Sequence, residues 1–196
     1  MLFMFFKYFV VFVVSFFLGM KHKYKNNYYN NNNTFYAFEV NAVTGINTTP
    51  IVSSFPFSIS ERRGYLKFSP DGTKLAAANI TEGLYLYDFD TATGIVSNPT
   101  FININFISQA GAQNPYGIEF SPDNTKLYVS TFANVAPENF NNANAQYGAL
   151  LQYNLQATDI SASEVLIDER QTYRGGLQLG PNGKIYRAMS NTYDQG

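Results

Sequence analysis

NPYGIEFSPDNTKLYVST, residues 114–131, is the stretch from which the architecture is read. At its centre stand Ser121, Pro122, Asp123 and Asn124. Proline presets φ for the second position of a tight turn, and asparagine is among the few non-glycine residues that take positive φ readily. Apolar and polar residues alternate on both sides, with Ile118 and Phe120 before the turn and Leu127 and Val129 after it. Period two between turn signals predicts a pair of half-buried antiparallel strands.

The same hairpin returns twice. YLKFSPDGTKLAAA, residues 65–78, carries Gly72 where the first copy has Asn124, and GLQLGPNGKIYRA, residues 176–188, is a third variant. Their prolines, Pro70, Pro122 and Pro181, stand 52 and then 59 residues apart. A second element repeats as well. FYAFEVNAVTG, residues 35–45, matches YLYDFDTATG, residues 85–94, and each copy reaches a proline, Pro50 or Pro99, five residues beyond its glycine. One unit therefore holds four short strands, in the best copy at residues 65–68, 74–78, 83–89 and roughly 100–107. Four strands in about 50 residues, repeated, is the sequence form of a propeller blade. The reading is all-β, an incomplete β-propeller of two full four-stranded blades and two partial ones. The expected spans are a blade part at 34–60, blades at 64–108 and 115–168, and a second blade part at 174–196. Propellers close with about four to eight blades, so a piece of a longer chain is expected.

These repeats resemble a known group. FSPDGTKL and NPYGIEFSPDNTKLYVST look like propeller repeats of the YVTN and WD40-like type. Together with LYDFDTATGIVSNP they resemble the propellers of Bacteroidetes surface proteins exported by the type IX, gliding-associated route. The resemblance covers residues 34–190 and implies a non-catalytic module at the cell surface or outside it, in contact with protein or glycan. Lactonase propellers also contain PYG and SPDG-like elements, which makes a lactonase-like enzyme the alternative.

Residues 1–20, MLFMFFKYFVVFVVSFFLGM, contain an apolar run preceded by Lys7, in the manner of a signal or anchor segment. The basic cluster Lys21, His22, Lys23 and Lys25 follows it, on the side where positive charge favours the cytoplasm. Any membrane contact is expected through residues 1–20 alone. Residues 21–33 read as a basic, Asn-rich linker.

Composition closes several classes of function. Thirteen Lys and Arg against 14 Asp and Glu leave no basic excess to neutralise a phosphate backbone, so no nucleic-acid partner is expected. Cysteine is absent, which removes disulfides, thiolate nucleophiles and Cys-based zinc sites. His22 is the only histidine, and it precedes the repeats, so neither a histidine metal cage nor a Ser-His-Asp triad fits inside them. No Gly-rich phosphate loop or nucleophile elbow occurs. No catalytic, cofactor or metal residue is assigned.

Asp88 and Asp90 lie two apart on one strand, but Asp90 opens the turn TATG, where its carboxylate has backbone amides to accept from. Glu119 alternates with Phe120 and is expected on an outward face. Arg62, Arg63 and Arg174 precede the first strands of their blades, and Tyr116 follows Gln113-Asn114-Pro115 in the corresponding place. In a propeller these segments ring one face around the central channel. A ring of Arg63, Tyr116, Tyr173 and Arg174 is the candidate contact site for an anionic sugar or a peptide carboxylate. Residues 132–147, FANVAPENFNNANAQY, form a long Asn-rich excursion, read as an exposed contact surface.

Overall fold

A computed structural model of the chain describes residues 8–13, 32–41, 44–59, 63–133, 135–139 and 141–190. Two complete antiparallel sheets dominate it. The first runs in chain order through β5 (Gly64–Phe68), β6 (Lys74–Asn79), β7 (Gly83–Phe89) and β8 (Val96–Ile102). The second runs through β10 (Gly111–Phe120), β11 (Lys126–Ala133), β12 (Gly148–Asn154) and β13 (Val165–Arg170), with the two-residue β9 (Ile107–Ser108) turned back onto the start of β10. A half-blade, β14 (Leu177–Leu179) and β15 (Ile185–Arg187), follows. Ahead of them stands a sheet centred on β2 (Asn32–Asn41), with β3 (Gly45–Ile46) and β4 (Ile51–Ile59) along one edge. The chain is an incomplete β-propeller, two four-stranded blades between two partial ones.

On its other edge β2 pairs antiparallel with β1 (Tyr8–Val13), in register from Tyr8 opposite Val40 to Val13 opposite Phe35. That is the place β6 holds against β7 in the complete blade. Part of the apolar stretch expected as a signal or anchor is thus a strand on the first sheet. Its other residues lie outside those described, as do His22 and Arg62. The Asn-rich linker ends where β2 begins, because Asn32 is already paired opposite Ile59.

The fourth strand starts earlier than its sequence indicates. β8 begins at Val96 and contains Pro99, while Ile107 belongs to the next blade. Proline breaks a central strand by removing a donor, but β8 lies at the edge of its sheet, where that N–H has no partner to meet. Asn98 at φ 49° and the register shift between Leu86 and Asp88 bend the strand around it.

Each blade buries both faces, so alternate residues serve different cores. In β6, Leu75 and Ala77 join Phe35, Ala37, Phe55, Tyr87, Phe89 and Val96 against the first sheet. Ala76 and Ala78, on the other face, join Leu84, Leu86 and Ile102 against Ile118, Phe120, Leu127, Val129, Leu151 and Tyr153 of the next blade. The three consecutive alanines of KLAAAN suit a strand pressed from both sides, since small side chains let two blades close on it.

The turns hold these sheets in shape. Ser121 Oγ donates to Asp123 Oδ1 (2.5 Å) and accepts from Lys126 N (2.9 Å), while Asp123 Oδ1 also accepts from Thr125 N (3.1 Å). Ser69, Asp71, Thr73 and Lys74 repeat this pattern in the blade before. Gly72 and Asn124 take φ 73° and 63°, the left-handed conformation their turns require. Asn124 does more than bend the chain. Its Oδ1 accepts from Asp71 N (3.1 Å), joining the turns of adjacent blades.

Candidate contact site at the leading end of the inner strands

The innermost strands β5, β10 and β14 begin at one end of the array and finish in the Ser-Pro-Asp-type turns at the other. β11 runs back to the starting end, where Ala133 lies opposite Gln113, so the Asn-rich excursion emerges there too. This leading end gathers the aromatic residues. Tyr65 meets Tyr116 edge to face with centroids 5.4 Å apart, and Phe132 lies 6.5 Å from Tyr116 and 5.1 Å from Tyr173. Ile80 completes a small buried cluster with Phe132 and Tyr173. The guanidinium carbon of Arg174 stands 5.0 Å from the centroid of the Tyr116 ring and 5.0 Å from that of Tyr173.

Backbone contacts explain how residues of three blades meet here. A Cβ on Gly117 would lie 2.3 Å from the Gly175 carbonyl oxygen, so β10 approaches the segment leading into β14 closer than any side chain allows. A Cβ on Gly176 would lie 2.2 Å from the Tyr65 hydroxyl oxygen, which spans from β5 across β10 to the third inner strand. Burial, with Tyr116 beside it, holds the Tyr65 hydroxyl above the usual tyrosine range, so it stays neutral and polar.

Of the four residues that the sequence singles out, the structure places Arg174 against both Tyr116 and Tyr173. Arg63 lies exposed at the head of β5, its carbonyl accepting from Ile80 N (3.2 Å). A planar cation packed on two aromatic rings is restrained in orientation, and one terminal nitrogen of Arg174, Nη1, is buried. Among the described residues no group of three or more His, Cys, Asp or Glu is arranged to hold a metal ion.

A second group sits further along the same strands and corrects one expectation. Glu119 is 5% exposed, not on an outward face. Its Oε2 accepts from Lys67 Nζ (2.8 Å) and from Leu179 N (2.8 Å), and Lys67 Nζ donates also to Gln178 Oε1 (3.1 Å). Lys67, Glu119 and Gln178 occupy the same position of YLKF, GIEF and GLQL. Aligning the repeats column by column exposes that equivalence, while reading one strand alone conceals it. Alternation assigns a face, but both faces of an inner strand look onto other blades.

Asp88 and Asp90 are accounted for separately. Asp88 pairs with Lys74 across the β6–β7 ladder and accepts from Asn98 Nδ2 (2.7 Å), and these bonds hold its carboxyl below the usual range. Asp90 accepts from Thr93 Oγ1 and Ala92 N (2.8 Å each), closing its turn.

No protein family matches the sequence, and no curated protein is similar to it. Solved structures are. A protein from Lactobacillus plantarum matches with a TM-score of 0.50 at 19% identity, over 80% of this chain and 42% of its own. A proposed 6-phosphogluconolactonase of Bacteroides fragilis matches with a TM-score of 0.48 at 16% identity, over 80% of this chain and 41% of its own. The hydrazine synthase of Kuenenia stuttgartiensis matches with a TM-score of 0.46 at 15% identity, over 79% of this chain and 46% of its own. The chain spans about two fifths of the length of the first two. At these identities the likeness is one of fold.

Proposed function

We propose that this chain is the ligand-binding part of a lactonase-like β-propeller, and that its leading end receives the carboxylate or phosphate of a sugar acid. The observation that carries this reading is Arg174 packed on the rings of Tyr116 and Tyr173, with Tyr65 against Tyr116. The guanidinium takes the anion, and the partly exposed rings of Tyr65 and Tyr116 give a sugar ring an apolar border. The PYG and SPDG-like elements shared with lactonase propellers agree with it.

A second reading has its own support. The Asn-rich excursion opens at the same end and is partly exposed, which suits a non-catalytic module of an exported surface protein contacting protein or glycan. On that reading Arg174 meets a peptide carboxylate or an acidic glycan.

The test is titration of the purified chain with gluconate, 6-phosphogluconate and a short peptide bearing a free carboxylate, alongside an assay of gluconolactone opening. Arg174→Ala is expected to weaken anion binding about tenfold or more, the scale of a charge-assisted hydrogen bond. Lactone opening above the spontaneous rate, lost in Arg174→Ala, favours the enzyme. Binding without turnover favours the contact module. Anion binding that survives Arg174→Ala, or none at all, overturns the assignment of this site.

A further inference from the structure

The Asn-rich excursion borders an open depression that the anion site does not use, and a ligand placed there rests on the second reading, in which this excursion is the contact surface. Its volume is about 380 Å³, lined by Gln109, Ala110, Val135, Asn139, Asn144 and Tyr147, with Ala136 and Ala145 filling the wall between them. That lies at the lower end of the roughly 300–1,000 Å³ typical of small-molecule sites. None of these residues is charged.

The loop holds this shape from within. Ala133 N donates to the Tyr147 carbonyl (2.9 Å) and closes its base. Gln146, 1% exposed, sends Nε2 across to the Asn139 carbonyl (2.8 Å). Asn142 Oδ1 accepts from Asn144 N (3.1 Å) and caps a short 3₁₀ turn at Ala143–Ala145. Gln171 Nε2 donates to the Tyr147 hydroxyl (3.2 Å), fixing the ring. These bonds use backbone groups and the side chains of Asn142, Gln146 and Gln171. The side-chain amides of Gln109, Asn139 and Asn144 have no hydrogen-bond partner among the described residues. Three free carboxamides therefore stand round one cavity beside a tyrosine.

We infer that this depression binds a neutral saccharide of one or two rings. Each carboxamide carries two N–H donors and a carbonyl acceptor, and each sugar hydroxyl both donates and accepts, so one amide can engage a neighbouring pair of hydroxyls. The Tyr147 ring gives the C–H face of a pyranose an apolar wall. Alanines at positions 110, 136 and 145 leave room where larger side chains would fill the hollow. A lining without cations gives a phosphate or carboxylate no counter-charge, which separates this ligand from the anion assigned to Arg174. The site rests on different residues and stands or falls independently of that assignment.

The experiment is saturation-transfer NMR on the full chain with glucose, galactose, mannose, N-acetylglucosamine and their β-linked disaccharides. At least one neutral sugar is expected to receive magnetisation from a tyrosine ring, with weak binding. Asn144→Ala, at an exposed position that does not support the loop, is expected to weaken it about fivefold to tenfold, the loss of one or two hydrogen bonds. Tyr147→Leu should abolish the ring signal. The inference is overturned if no neutral sugar binds, if only acidic sugars do, or if Asn144→Ala binds as the parent does.

Discussion

The serine and aspartate of each turn act as one device. The serine hydroxyl ties the aspartate while accepting the lysine amide that starts the next strand, so a single four-residue sequence both reverses the chain and sets register. The Ser121 hydroxyl and the Thr125 amide hold the Asp123 carboxyl below its ordinary range, and the Thr93 hydroxyl and Ala92 amide do the same for Asp90. At Asp71 burial pulls upward, but the Ser69 and Thr73 bonds outweigh it. A carboxyl whose folded pKa lies below its unfolded value of about 4 contributes fully above that pH. The contribution drains away as pH falls through the folded value. The Tm is therefore expected to hold from neutral pH to about pH 4 and to fall below it. Asp123→Asn, which keeps an acceptor for Thr125 N but not the charge, should start from a lower Tm and fall less steeply. Thermal melts followed by circular dichroism between pH 7 and pH 2 check this, and parallel curves for parent and variant would contradict it.

At the scale of elements, legibility followed the strength of the local signal. β5, β6 and β7 stand where alternation and the turn residues put them, because proline, glycine and the period-two pattern act within a few residues. β8 starts at Val96 rather than near Thr100, because Pro99 is tolerated where the strand lies at a sheet edge, a fact of the sheet rather than of the segment. Glu119 was misassigned for a related reason, since its surroundings come from β5 and β14, respectively 52 and 60 residues away through Lys67 and Leu179. Tyr116 lies within β10, while Tyr173 and Arg174 stand in the lead into β14, and the approach of these two inner strands brings them together. The contacts of Tyr65 with Tyr116 and of Phe132 with Tyr173 cross blades, and such ring contacts leave no trace in a single repeat. The glycines of the inner strands carry the consequence furthest. Gly117 has no methyl group to give, with the Gly175 carbonyl oxygen 2.3 Å from where its Cβ would be. Gly117→Ala is expected to cost about 2–3 kcal/mol, the scale of overpacking. It should also loosen Arg174 from Tyr116, because the same displacement moves the lead into β14. Denaturant unfolding measures the first effect, and tyrosine ring shifts in NMR report the second. A variant as stable as the parent would show that the inner strands have slack.

Taken as a molecule, the array is held by cores between successive blades and by one polar clasp that reaches across three. Cores bind neighbours only, so repeat arrays lose their terminal units first. The terminal half-blade here has two three-residue strands, and Tyr186 and Met189 remain 55% and 57% exposed. Its attachment runs through Arg187, which reaches Asp168 of β13 and the Ala149 carbonyl of β12 (3.1 Å each), and through β10 and β5, where Glu119 accepts the Leu179 amide while paired with Lys67. The pair is well shielded, at 20% and 6% side-chain exposure, so removing one charge leaves the other with little water. Glu119→Gln is expected to cost about 3 kcal/mol, or roughly 6–12 °C in Tm for a chain of this size. The loss should be local before it is global. Amide exchange at Leu179 and the rest of β14 and β15 should accelerate in the variant, while β6 and β7 keep their protection. Lys67→Met should produce the same pattern, and the double variant should cost less than the two single losses added, because both remove one shared interaction. Additive losses, or exchange that rises evenly across all the blades, would mean that Glu119 supports its own strand alone and that the half-blade is held by packing at Gly117 and Gly176.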